Sequence, residues 1–168
     1  MSHLTALKDA DIFYSLSREQ LSRIATICNE IALSKNTTIF QENSPGDELY
    51  VVAQGTVEIQ VDPAMLGPET SSGPKTVALL RRGQTFGEVV LIDGGLRSAA
   101  IRVAEDHTVL LSIPREGLIR LCEEDYELGY LLMRNIATDL ACKIRGTDLM
   151  VRERSLSRPK TTDGTQAV

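Results

Sequence analysis

Glu88 and Arg97 stand nine residues apart in one short segment, with Gly87 before the carboxylate and Ser98-Ala99 after the guanidinium. Phe86 opens the segment, Val89–Ile92 is an apolar run, and Asp93-Gly94-Gly95 is a turn cluster. Arg offers a rigid fork of donors that matches phosphate oxygens. Glu offers acceptors that match sugar hydroxyls. Set on opposite arms of one loop, the two could grip a molecule that carries a phosphate beside a ribose, which argues for a nucleotide sensor. The plainer alternative pairs the two charges with each other on a surface turn, an arrangement of little energetic consequence.

The flanking sequence shows what must hold that segment. Residues 6–33 read as helical: Ser17-Arg18-Glu19-Gln20 has the form of a capping box, and Leu21, Ile24, Ala25, Cys28 and Ile31 recur at helical spacing. Thr37–Phe40 is rich in β-formers and precedes the turn cluster Asn43–Asp47. Leu49–Val52 is a short apolar run closed by Gln54-Gly55. Thr56–Val61 alternates polar and apolar, the mark of a strand with one buried face. Tyr50 to Val61, with Gly55 between its halves, reads as a hairpin or a corner. Residues 62–75 hold three Pro, two Gly and two Ser and read as a mobile loop.

Thr76–Leu80, Ala99–Val103 and Thr108–Ile113 read as further strands, with Arg81–Gln84 turning the chain into Phe86. Glu88–Ile92 reads as a short helix between strands, its N-terminal amides aimed at the ligand. Short strands at this spacing imply an all-β barrel or sandwich. Leu118, Leu121 and Cys122 mark a short helix after Arg115. Tyr126 to about Arg154 reads as one long helix, in which Gly129 and Gly146 each cost about 1 kcal/mol against Ala. Ala137, Leu140, Ile144, Thr147 and Val151 follow coiled-coil steps, so this helix pairs with a second copy or packs on its own strands.

The totals bound the class. A chain of 168 residues, 42% hydrophobic and without Trp, suits one domain with a real core. A net charge of −5 argues against a nucleic-acid partner, which needs a basic face. Three widely spaced cysteines, Cys28, Cys122 and Cys142, imply reduced thiols in a cytoplasm rather than a disulfide framework. No run is long enough to span a membrane, and the first residues lack a secretion signal. His3 and His107 have no Cys, Asp or Glu at ligand spacing, so no metal is expected. No nucleophile stands beside a His, and Glu88 has no second carboxylate at a working distance, so the chain is read as not being an enzyme.

Phe86-Gly87-Glu88-Val89-Val90-Leu91, a five-residue spacer, and Arg97-Ser98-Ala99-Ala100-Ile101-Arg102-Val103 resemble the phosphate-binding cassette of cyclic nucleotide-binding domains. Ile39-Phe40, Pro45-Gly46-Asp47, Leu49–Val52 and Gly55 are similar to that family's β-roll signature, and the match runs from about residue 7 to 153. The resemblance implies a domain over 1–153 that is mainly β with flanking helices. Its centre would be an eight-stranded, jelly-roll-like β-roll (a double-stranded β-helix) at about 37–113. N-terminal helices precede it, C-terminal helices follow at about 115–153, and 154–168 is a disordered tail.

The ligand implied is cAMP or cGMP. Arg97 would pair with the cyclic phosphate and Glu88 accept from the ribose 2′-hydroxyl. Gly87 would let the backbone approach the sugar, and amides near Val89, Val90 and Ser98 or Ala99 complete the cradle. Arg97-Ser98-Ala99 is most like the catabolite-activator branch, where the Ser hydroxyl also touches the phosphate; Ser98 does not settle the base. Lys143, Ile144 or Thr147 would cap the base, and the long helix would form a homodimer. The output would pass through the C-terminal helices to another, unidentified protein. Fourteen polar residues from Ser155 leave no room for the helix-turn-helix of that branch. Val90 departs from the family's Gly, Ala or Ser; it either points into the core, the expectation, or narrows the pocket. The alternative function is a scaffold module that kept the roll and binds no cyclic nucleotide or another small ligand.

Overall fold

The computed structural model of the chain describes residues 2–62 and 73–156, with side chains described through Gly146 in the last helix. The N-terminal arm is α1 (His3–Lys8), a 3-10 turn at Asp11–Phe13 and α2 (Arg18–Ile27). The capping box starts α2: the Ser17 hydroxyl accepts from the Gln20 N–H, and the Gln20 side-chain oxygen accepts from the Ser17 N–H at 2.9 Å.

The helical reading of 6–33 fails at its end. Cys28 adopts extended backbone (φ −79°, ψ 142°), and Asn29–Leu33 form β1, so the roll begins at 29 rather than 37. Ile31 falls at helical spacing from Cys28, but Ile31 and Leu33 also share the two-residue spacing of a strand. Pairing with Thr108–Ser112 decides in favour of the strand.

The remaining elements are β2 (Thr38–Phe40), β3 (Glu48–Gln54), β4 (Thr56–Val61), β5 (Lys75–Arg81), β6 (Thr85–Phe86), α3 (Glu88–Asp93), β7 (Ala100–Val103), β8 (Thr108–Pro114), α4 (Arg115–Glu124) and α5 (Tyr126–Leu156). Among the described residues, eight strands form two antiparallel sheets ordered β1-β8-β3-β6 and β2-β7-β4-β5. Gly55 is a corner, not a hairpin, because β3 and β4 enter different sheets. The two-residue β6, unread in the sequence, pairs Phe86 with Tyr50 and Thr85 with Val51. The mainly β architecture with flanking helices and a long last helix is therefore present. The expectations for loop 62–75 and the tail fall largely on residues 63–72 and 157–168, which lie outside the described residues.

The apolar run on β3 has a reason in this layout. Leu49, Val51 and Ala53 face the helices, while Tyr50 and Val52 face the roll interior. On β8, Leu111 and Ile113 face the helices and Leu110 the interior. β3 and β8, at the centre of this sheet, are buried on both sides and are mostly apolar, whereas β1 at its edge exposes Asn29 and Glu30. β4 borders the interior on one side only, and Val57 and Ile59 alternate with Glu58 and Gln60.

The last helix is seated by Leu128, Leu132 and Ile136, at four-residue steps, in the core beneath the first sheet. Asn135 on the same face donates to the carbonyls of Ile12 (3.1 Å) and Tyr14 (2.7 Å), tying α5 to the N-terminal arm. The face continues through half-buried Leu140 and Lys143 to the side of the roll that carries α3. None of the three cysteines is in a disulfide. Among the described residues, no helix is long and apolar enough to cross a membrane.

Candidate functional site

Gly87 ends β6 and begins α3 with φ +86°, a backbone conformation that disfavours any residue with a Cβ. A Cβ there would also crowd the Glu48 carbonyl oxygen and Arg97 Nη1. The turn therefore turns Glu88, α3's first residue, into the protein and clears space for the guanidinium. Val89 and Val90 follow in the first turn of α3, where backbone N–H groups have no partner within the helix.

Arg97 is 2% exposed and fixed by the roll. Its Nη1 donates to the Glu48 carbonyl at 2.8 Å, and its Nη2 to the Glu48 carboxylate at 3.1 Å. The guanidinium lies 4.1 Å from the Phe40 ring centre and 5.7 Å from that of Tyr50. Tyr50 stacks on Phe86 at 5.0 Å, and Phe40 tilts against both. A desolvated cation over such a ring gains about 2 kcal/mol. Burial, reinforced by the Glu48 carboxylate, pushes the Tyr50 phenol up, while Arg97 pulls the other way. Backbone bonds close the frame: the Arg97 N–H donates to Ser44 O (2.9 Å), and its carbonyl accepts from the Asn43 N–H (2.8 Å). A Cβ on Gly46 would overlap the guanidinium, so that turn needs glycine for close approach rather than for φ. Arg97 Nε is buried and has no hydrogen-bond partner among the described residues.

Glu88 is 5% exposed and is matched by a different part of the chain. Lys143 Nζ, on α5, donates to Glu88 Oε1 at 2.8 Å and to the Thr85 carbonyl at 3.2 Å. It also pairs with Asp139 one turn earlier at 2.7 Å. Burial alone would lower the Lys143 pKa, but Glu88 and then Asp139 more than offset it, and the ammonium is held above its ordinary range.

Between these charges lies a hollow of about 230 Å3. All of Gly87, Glu88, Val89, Val90, Arg97, Ser98 and Ala99 line it, with Phe40, Ile59, Phe86, Ile101, Leu140 and Lys143 completing the wall. Glu88 and Arg97 do not pair with each other, which removes the surface-turn alternative. Val90 is 2% exposed, in keeping with a side chain packed into the protein, and the residue also borders the hollow. Of the base-cap candidates, Lys143 reaches the hollow and Ile144 is 61% exposed. The Thr147 side chain lies outside the described residues. A buried cation with an unused donor, a buried carboxylate and an apolar wall suit a small anion attached to a polar and an aromatic group.

The sequence profile described as "Cyclic nucleotide-binding domain" matches residues 30–125, more than half of the chain. The chain belongs to the cyclic nucleotide-binding domain family. This is a family of binding and regulatory domains, typically without catalysis. The chain is 30% identical over 143 residues to the Cyclic AMP receptor protein of Thermus thermophilus, covering 85% of this chain and 61% of that protein. It is 30% identical over 115 residues to a cAMP-dependent protein kinase regulatory subunit of Aspergillus fumigatus, covering 68% of this chain and 25% of the relative. The chain thus spans less than two thirds of the length of these relatives. A solved cyclic nucleotide-binding domain from Methylobacillus flagellatus superposes with a TM-score of 0.77 over 94% of this chain and 84% of that one. At 23% identity it speaks for the fold alone.

Several residues of the site were not read as functional in the sequence. Glu48 holds Arg97 from 49 positions away, a contact that no local spacing signals. Phe40, Tyr50 and Phe86 sit within quoted motifs, but their gathering under one guanidinium follows only from the pairing of β3 with β6. Leu140 carries a trace in its four-residue spacing from Ile136.

Proposed function

We propose that this chain binds a cyclic nucleotide, cAMP or cGMP, and relays its occupancy through α4 and α5 to another protein. The observation that carries this reading is Arg97, a buried cation with an unpartnered Nε among the described residues, which lines a hollow that Glu88 also lines. Burying a charge with an unused donor is costly unless an anion completes it. In this reading the phosphate takes the part of the guanidinium that Glu48 leaves unused. The Val89, Val90 and Ser98 or Ala99 amides add neutral donors, and Glu88 accepts from the 2′-hydroxyl. The mainly apolar remainder of the wall, with Ile59, Ile101 and Leu140, receives the base.

A route outward exists. Arg115, the first residue of α4, donates from its backbone to Asp47 O at 2.7 Å and from Nε to Leu91 O at 3.1 Å. A shift of α3 around a ligand therefore acts on the start of α4 and, through it, on α5, the usual form of a population shift between packings. The domain in this reading spans 1–153, works in the cytoplasm, uses no metal and makes no bond. Its partners are the nucleotide, an effector protein and a second copy along α5, where Ile144 is exposed. Ile144→Glu should turn a dimer into a monomer in sedimentation; an unchanged dimer refutes that seam.

Val90 is the residue that speaks for the alternative, a scaffold that takes no cyclic nucleotide, because it borders the hollow where the family has Gly, Ala or Ser. Thermal unfolding with cAMP, cGMP and 5′-AMP side by side separates the two. A ligand at a hundred times its dissociation constant adds about 2.7 kcal/mol of stability. Stabilisation by a cyclic nucleotide and little by 5′-AMP supports the sensor; no shift from either cyclic nucleotide supports the scaffold.

A further inference from the structure

Lys143 reaches the hollow from α5, outside the roll, and its ammonium is engaged by acceptors of the protein itself. Among the described residues, its ammonium meets Glu88 Oε1 at 2.8 Å, Asp139 Oδ2 at 2.7 Å and the Thr85 carbonyl at 3.2 Å. These hydrogen-bond and ion-pair partners already engage the ammonium within the protein, so a base contact would compete with them. We propose that Lys143 is a positioning residue that couples nucleotide occupancy to the seating of α5, by binding Glu88 rather than the nucleotide. This inference rests on the nucleotide reading of the site.

Glu88 is almost fully buried, and a buried carboxylate needs a countercharge; the roll does not supply it, and α5 does. The ammonium engages Glu88 Oε1, and a carboxylate has a second oxygen that can accept a sugar hydroxyl. Ligand and Lys143 can therefore hold Glu88 together. The hollow is also present with α5 seated and Leu140 in its wall, so the helix need not leave to make room.

The sign of the coupling follows. A ligand that fills the hollow excludes water from Glu88, and the attraction between Glu88 and Lys143 grows as the local dielectric falls. Occupancy thereby strengthens the hold of the roll on α5, and by reciprocity a seated α5 strengthens binding. Asp139, one turn before Lys143 on the same helix, keeps the ammonium aimed at Glu88. The raised Lys143 pKa agrees with an ammonium that stays charged there.

The test uses the full chain, its Lys143→Met and Lys143→Arg variants, and cAMP and cGMP as the probes. Affinity is read by calorimetry, and backbone hydrogen exchange is followed in α3 and at positions 136–146. In the wild type, the nucleotide that binds slows exchange in both segments. Lys143→Met should bind it about ten-fold more weakly. It should keep the slowing in α3 and lose it at 136–146, and Lys143→Arg should restore both. If the wild type binds neither nucleotide, the nucleotide reading itself falls and takes this one with it. If the wild type binds and Lys143→Met keeps both its affinity and its response at 136–146, the coupling role alone is refuted. Tighter binding by Lys143→Met also refutes it, since the pair would then be a latch that the ligand must break.

Discussion

The two charged walls of the hollow are built by different means. Arg97 is held from within the roll, by Glu48 on β3, by the Phe40 ring on β2 and by space that Gly46 and Gly87 leave open. Glu88 lies at the start of α3, but its counterion comes from α5, 55 residues further along the chain. The anchor for an anion is thus complete in the roll alone, whereas the anchor for a hydroxyl depends on a helix that leads out of the domain. In the proposed reading, the difference teaches that the larger part of the affinity and the link to α5 rest on different residues. There the guanidinium would set whether an anion is held, and the carboxylate would add a smaller share and report whether α5 is in place.

The sharpest way to break that contrast is Arg97→Ala. It should lower cyclic nucleotide affinity at least about a hundred-fold, the scale of a buried charge-assisted bond. The fold should survive with a loss of about 1–3 kcal/mol in denaturant unfolding. Gly46→Ala comes next, because its Cβ would overlap the guanidinium while neither charged residue is replaced. Overpacking of this kind costs about 1–3 kcal/mol, and affinity should fall with stability. Unchanged affinity in a titration of this variant would show that Arg97 can hold an anion from another position.

Glu88→Gln should have a smaller effect, about ten-fold in affinity. The wild type should prefer cAMP to its 2′-deoxy analogue, and the variant should lose that preference. A preference that survives the substitution places the sugar contact elsewhere.

The smallest effects on binding come from pH. Burial pushes the Cys28 thiol up to about 12 from an ordinary 9.0. Its folded pKa lies above the unfolded one, so its contribution to stability is complete below pH 9 and is lost as pH rises toward 12. The Lys143 shift has the same sign, so the stability from its pair with Glu88 is likewise lost only as pH rises past the ordinary lysine range, through its raised folded value. Denaturant unfolding from pH 8 to 11 should therefore show a falling limb that Cys28→Ala flattens and Lys143→Met flattens only at its upper end. The raised Tyr50 phenol adds to the same limb above its ordinary 10.0, and Arg97→Ala should steepen that part, because the guanidinium that pulls the phenol down is gone.

Much of this was legible before any coordinates. Gly87-Glu88 and Arg97-Ser98-Ala99 carry their chemistry within a few residues of sequence, and every one of them lines the hollow. The capping box at Ser17 and the alternation through Thr56–Val61 are local signals with local causes, and both appear as read. β1 was hidden because Ile31 fits a helical stripe as well as a strand, and only its distant partner β8 breaks the tie. β6 is two residues long, too short for any period to register. The partners of the two site charges, Glu48 and Lys143, lie 49 and 55 residues away, where spacing along the chain carries no information about contact.

The most direct test of the central claim is isothermal titration of cAMP, cGMP and 5′-AMP into the wild type and Arg97→Ala. The account predicts saturable binding of at least one cyclic nucleotide by the wild type, far weaker binding of 5′-AMP, and no measurable heat from the variant. Silence from both cyclic nucleotides in the wild type, or equal binding by Arg97→Ala, would contradict it.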